Sequence, residues 1–393
     1  STPLVRERPR VQISLAAPVF LKLFNSVFVD FVYTRTPAAF DQPINTLPVP
    51  QAWRSSSSGK IRFTGYGDRE MEENDSQKAK SGPRLNPQAS KRHHYIPEFY
   101  TRSWARADGT LIQWSRPYQI VVPQTVHPKA TGFVNHLYAL CDFPPEAAHV
   151  IEDAFFKPID TNAADAVALL KRHGTRANLN ERLRYGWTEL LISLEMRTPE
   201  DLTLLRKLWP DLMTAWALAR EPHYQSFRLE TDPPTYVEYH AGLPTQEQEK
   251  LLFHTLMTLI ENRELSDFIA NMFWTVIDTS WASAPLLTSD RPVVRSNGIR
   301  TPFGNIAIPL SPTKLFVATH TIGARTAILA RPIEDLVQQM NLTVVRGAQK
   351  YVYSSDESLR QLIVQNIGAA IVDRQLQISI LRHIEALKSG KYS

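Results

Sequence analysis

The hydrophobic period of the chain changes three times, and that succession limits the folds open to it. Around residues 92–122 short aromatic and β-favouring runs dominate: HHYIPEFYTRSWA, then LIQWS and YQIVV after the Asp-Gly turn of ADGT, which together read as a hairpin. From Pro144 to Ser280 apolar side chains recur at three- and four-residue spacing, the mark of helices with one buried face. After residue 283, APLLTSDRPVV, NIAIPLSPTKLFVATH and TAILA return to short β-favouring runs punctuated by Pro and Gly. Two helical segments, near PIEDLVQQMNLTVV and DESLRQLIVQNIGAAIVDRQLQISILRHIEALK, close the chain. Strands that flank a helical block without alternating with it point to an α+β fold. The expected form is a mainly antiparallel sheet, built from the early hairpin and the late strands, packed against the helical middle and the C-terminal helices.

Within that frame, Pro97 opens a short helix carrying Phe99, Tyr100 and Trp104. The segment ERLRYGWTELLISLEMR sets Leu183, Trp187, Leu190, Leu191 and Leu194 on one core-facing side. Prolines at 158 and 210 are expected to interrupt or kink the helices that contain them. The stretch from Thr245 to Ser280 reads as one long helix or two abutting ones.

Residues 1–91 differ in texture. An apolar segment at 11–33 follows RERPR, but Pro18, Lys22, Asn25 and Asp30 interrupt it, so no stable membrane span is expected. Beyond Pro37 come PAAFDQPINTLPVPQ, SSSSGK and a charged run to Arg92, with few apolar side chains to bury. This reads as a poorly ordered extension ahead of a single domain at 92–393. A composition of 43% hydrophobic and 21% charged residues rules out a wholly disordered chain. The net charge of +5 permits nucleic acid as a partner without concentrating basic residues into one block. The single cysteine, Cys141, excludes an intramolecular disulfide and every CxxC motif; it suits a reducing, cytoplasmic setting and reads as buried filler.

No phosphate-binding glycine loop, dinucleotide fingerprint, GxSxG elbow or HExxH pair occurs, so the common nucleotide, hydrolase and zincin routes lack their marks. His93, His127 and His136 offer no zinc-ligand spacing, and for Glu152, Asp153, Asp160 and Asp165 a solvated acidic face is as good a reading as a metal site.

Four segments in order, HHYIPEFYTRSWA, LEMRTP (194–199), LLTSDRPVV (286–294) and IAIPLSP (306–312), carry a family pattern. Together they resemble the DUF4238 family, with its HYxPxFYLRxF-like opening and its RTP, SDxP and PLSP elements. His94, Tyr95, Pro97, Phe99, Tyr100 and Arg102 fall on that opening; Thr101 stands for the usual leucine and Trp104 for the usual phenylalanine. The resemblance spans about 92–355 and implies a fold boundary, with no reaction attached.

The motif positions nominate a polar site of His94, Glu98, Arg102, Arg197, Asp290 and Asn341. If His94 and Glu98 share a helical turn, their four-residue spacing brings imidazole and carboxylate together. Asp290 is expected at an open strand end, and Arg197 as a clamp for an anion or a partner of Glu195 or Glu200. On this basis the chain is expected to be a metal-assisted phosphodiester hydrolase, nuclease-like. His94 or Glu98 is then the base, Asp290 holds a divalent metal, and Arg102 and Arg197 face phosphate, with Asn341 in the substrate-binding set. The alternative is a non-enzymatic binding protein in which the same residues are local braces.

Overall fold

The computed structural model describes residues 91–140, 149–296, 298–370 and 374–389. The apolar segment at 11–33 and Cys141 lie outside them.

β1 (Arg92–His94) pairs antiparallel with β4 (Phe133–Asn135), with His94 opposite Phe133. The strand ends at His94, and Ile96, ahead of Pro97, is kept out of helical conformation. Helix α1 (Glu98–Thr101) then begins. A second sheet has the order β3-β2-β10-β6, made of β2 (Leu111–Ser115), β3 (Val122–Val126), β6 (Thr288–Ser289) and β10 (Val352–Ser354). The third, β5-β9-β8-β7, holds β5 (Phe273–Asp278), β7 (Val294–Ser296), β8 (Asn305–Ser311) and β9 (Lys314–Thr319). Every pairing is antiparallel, and the early hairpin joins late strands through β10. The fold is α+β.

The hairpin's second strand is VPQTV, with Ser115 opposite Val122, later in the chain than YQIVV. Pro117 opens a 3-10 turn in which Tyr118 and Gln119 take positive φ, and this consumes the residues expected to pair. Pro123 is tolerated because β3 is an edge strand with one unpaired side. Asp108-Gly109 makes its own turn before β2, with the Asp108 carboxylate accepting from the N–H and hydroxyl of Thr110.

A π-helical turn (Glu152–Phe156) leads directly into α2 (Lys157–His173). Pro158 therefore does not interrupt the helix. It lacks an N–H for the carbonyl four residues back, and the wider turn, in which Lys157 N–H donates to Glu152 O, absorbs the mismatch. Asn180 caps α3 (Glu181–Ser193) by accepting from Leu183 N at 3.0 Å. Thr198 caps α4 (Pro199–Phe227), which runs continuously through Pro210 and Pro222. Burial of Leu202, Leu205, Trp209, Leu212 and Trp216 on one side holds it through the lost hydrogen bonds.

After α5 (Tyr236–Ala241) come α6 (Thr245–Ile260) and α7 (Arg263–Ala270), separated by the Asn262 cap. The expected helix stops there, since FWTVID is β5 and its aromatic and β-branched residues suit a strand. TAILA lies in α8 (Ile322–Leu329), capped by Thr321, instead of a strand. The chain ends in α9 (Ile333–Gly347), α10 (Arg360–Asn366) and α11 (Gln375–Lys388). No described helix is long and apolar enough to cross a membrane.

The aromatic opening motif ties the layers together. Tyr100 hydroxyl hydrogen-bonds Thr288 Oγ1 in β6 and donates to Pro309 O in β8, each at 2.8 Å. Trp104 Nε1 donates to Leu286 O, and Trp114 Nε1 to Ser354 Oγ. All three rings are fully buried.

Candidate functional site

Arg197 lies between the end of α3 and the Thr198 cap of α4, and its side chain is wholly buried. A guanidinium out of water requires partners, and three groups meet it. Nη1 donates to Asp160 Oδ1 at 2.9 Å, Nε to Tyr95 O at 3.0 Å, and the cation sits over the Phe156 ring at 5.4 Å. Its main-chain oxygen accepts from the Tyr138 hydroxyl at 2.8 Å. Glu195 and Glu200 are engaged elsewhere, with Arg295 and Lys350 respectively. Nη2 is buried without a hydrogen-bond partner among the described residues.

Two further polar atoms share that condition, on residues that feel the charge of Arg197: His94 Nε2 and Glu152 Oε2. His94 ends β1 and does not share a helical turn with Glu98, because Pro97 separates strand from helix. Burial lowers its pKa; Glu98 pulls upward, and the charge of Arg197 adds to the lowering. The main chain of Lys129 also pulls it upward. Nε2 is buried without a hydrogen-bond partner among the described residues. Glu152 opens the π-turn and is 5% exposed. Burial pushes its carboxyl up to about 7, Asp160 adds to the rise, and Arg197 opposes it. Spacings of four from Glu152 to Phe156 and from Phe156 to Asp160 carry these three residues along the inward side of the helix. A π-turn that re-aims a buried carboxylate is a recurrent device at functional sites.

The remaining nominated residues lie apart from this group or are fully occupied. Asp290 is buried behind β6 instead of facing solvent at a strand end, and accepts from Gln349, Lys350 and Tyr351 N–H at 2.8, 2.7 and 3.0 Å. Burial raises its pKa to about 6 against the pull of those three donors. Asn341, on α9, accepts from Leu287 N and donates to Pro285 O, both at 2.8 Å. Glu98 and Arg102 form a surface ion pair at 2.7 Å, with side chains 37% and 65% exposed. Among the described residues no group of three or more His, Cys, Asp or Glu side chains that could hold a metal ion comes together.

Beside the site stands a histidine relay. His93 Nδ1 accepts from Tyr138 N–H at 2.9 Å, so the neutral ring carries its proton on Nε2 and donates it to His149 Nδ1 at 2.8 Å. The His93 ring stacks on Tyr138, which in turn packs on Phe156. Burial, with His149 and His136 nearby, lowers the His93 pKa to about 4.

Sequence reasoning missed Glu152 and Asp160 by assigning them to a wet face. Only their neighbours behave that way: Asp153 pairs with Lys157 and Asp165 with Arg182 at the surface. The available signal was the four-residue step that places Glu152, Phe156 and Asp160 together beside the buried Phe155 and Ile159.

No curated protein and no solved structure matches the chain. The model of one family, described as a protein of unknown function (DUF4238), matches residues 92–358. That span covers most of the chain and contains β1, the π-turn, Arg197 and Asp290, and the chain belongs to the DUF4238 family.

Proposed function

We propose that this protein hydrolyses phosphate ester bonds, phosphodiesters included, at the cluster of His94, Glu152 and Arg197. One observation carries the reading: three buried polar atoms, an imidazole nitrogen, a carboxyl oxygen and a guanidinium nitrogen, lack partners among the described residues, and the charge of Arg197 acts on both of the others. Buried polar groups are normally satisfied, so a ligand with matching groups fits there. Arg197 Nη2 holds a non-bridging phosphate oxygen. His94 Nε2 takes a proton from water as the water oxygen bonds phosphorus, and protonated Glu152 gives its proton to the leaving oxygen as the P–O bond breaks. Asp160 keeps the guanidinium in place through its bond to Nη1.

Asp290 and Asn341 fit a second reading better, that of folding braces, which is supported by their saturation with main-chain partners. Asp290 has little capacity left for a divalent metal. The net positive charge supports a nucleic-acid substrate, the single cysteine a reducing compartment such as the cytoplasm, and the pairing of β2 with β10 one folding unit over 92–393.

The test is release of p-nitrophenol from bis(p-nitrophenyl) phosphate by the full chain, His94→Asn and Glu152→Gln. The wild type is expected to turn over, and each variant to lose about 100-fold or more. A wild type no faster than buffer, or variants as fast as wild type, overturns the reading.

A further inference from the structure

A second polar concavity lies beside β5, the outer strand of its sheet. It has a volume of about 230 Å³ and is walled by Leu170, Leu179 and Met272 on its apolar side, with Trp274, Thr275, Arg184 and Arg325 supplying the polar one. Among the described residues no carboxylate lines it. Leu170 lies ten residues after Asp160 in α2, roughly 15 Å along the helix axis, so this cleft is separate from the Arg197 cluster.

The two arginines differ in what they are free to do. Arg184 is committed: Nε donates to Ala270 O at 2.5 Å, Nη2 to Met272 O at 3.4 Å, and the guanidinium lies 3.9 Å from the Trp274 ring centre. Arg325, on α8, has no side-chain hydrogen bond or ion pair among the described residues, and its Nε is buried and unpartnered. Thr275 is 6% exposed, and its Oγ1 is likewise buried without a partner. A buried N–H donor and a buried hydroxyl, both unanswered, therefore line a cleft bearing two cations and no compensating acid. Thr175 completes the rim; its Oγ1 accepts from Val276 N–H at 2.9 Å and fixes the wall.

We propose that this cleft binds a small organic anion, an aryl or alkyl phosphate or carboxylate. Its oxyanion accepts from Arg325 and Thr275, and its apolar part lies along Leu170, Leu179 and Met272. Charge-assisted donation to an oxyanion satisfies both orphaned groups, and the apolar wall favours an organic ion over a bare inorganic one.

The experiment is a titration of the full chain with phenyl phosphate, benzoate and inorganic phosphate, followed by the indole N–H signal of Trp274 in 15N-labelled protein. Saturable movement of that signal by phenyl phosphate or benzoate, with inorganic phosphate at least tenfold weaker, is expected. Whichever organic probe binds more tightly identifies the head group. Arg325→Gln and the near-isosteric Thr275→Val should each weaken binding about tenfold or more without lowering the thermal midpoint or changing bis(p-nitrophenyl) phosphate turnover. No saturable shift in the wild type, or equal binding by both variants, overturns the proposal. Because the signal reports from this cleft alone, its outcome is independent of the Arg197 reading.

Discussion

Arg197 and Asp160 form a charge pair, Nη1 to Oδ1 at 2.9 Å, that fastens the start of α4 to the helix following the π-turn. The arginine is fully buried, so removing it strands Asp160 beside Glu152. We expect Arg197→Met to destabilise the fold by roughly 3–5 kcal/mol, as for one-sided loss of a buried ion pair. Urea unfolding measures this, and a midpoint equal to wild type would mean that the pair contributes nothing.

Asp290 binds three consecutive main-chain N–H groups and closes the turn into β10. Asp290→Asn keeps the size but turns an NH2 toward donors, and should cost about 2–4 kcal/mol through clashing and unpaired N–H groups. Hydrogen exchange at Gln349, Lys350 and Tyr351 should accelerate together. Unchanged protection there would contradict the bracing role.

The α+β class, the core-facing α3 and the motif order were legible because they depend on local period and residue type. The register of β3 was not, since it depends on Tyr118 and Gln119 adopting positive φ. The π-turn was hidden as well, because Pro158 signals a disturbance without saying whether the helix breaks or widens. Of the cluster proposed here, His94 and Arg197 came from the motif, whereas Glu152 and Asp160 did not, because a carboxylate on a helix reads as solvated until its partner is placed. Asp290 was misassigned for the converse reason: an SDRP turn looks open unless the chain some sixty residues later is known to fold over it.

His93 ties acid stability to the relay. Its folded pKa, about 4, lies below the ordinary 6.5, so between those values the unfolded chain binds the extra proton. This contribution to stability is complete above about 6.5 and is lost as pH falls toward 4. In His93→Leu that pH-dependent loss should shrink, although the variant is less stable overall because Tyr138 N–H loses its acceptor. Parallel pH–stability curves for wild type and variant would contradict this.

Glu152 titrates in the opposite sense. Its folded pKa of about 7 exceeds the ordinary 4.5, so the folded state holds the proton more tightly and gains stability as pH falls from about 8 to about 5. The gain is on the order of 3 kcal/mol. Glu152→Gln, always neutral, should be more stable than wild type at pH 8, with the advantage disappearing near pH 5. For catalysis, protonated Glu152 together with neutral His94 gives a bell-shaped pH–rate profile. Its alkaline limb should fall near 7 and its acid limb below 6.5.

Gly132 has φ +60, and its carbonyl accepts from Tyr95 and Ile96 N–H. An added Cβ would lie 2.7 Å from Ile96 Cβ and 2.8 Å from Ile96 O. Gly132→Ala should therefore cost more than about 1 kcal/mol and lower the thermal midpoint. A neutral effect would show that the β1–α1 junction is more yielding than its packing indicates.

The most direct measurement is calorimetric titration of inorganic phosphate into the Arg325→Gln chain at pH 7 in buffers of different ionisation enthalpy, alone and with His94→Ala or Glu152→Gln added. We expect saturable binding accompanied by net proton uptake, weakened by His94→Ala and stripped of its proton uptake by Glu152→Gln. Absence of saturable heat, or binding indifferent to both substitutions, would mean that the three orphaned atoms around Arg197 receive no anion.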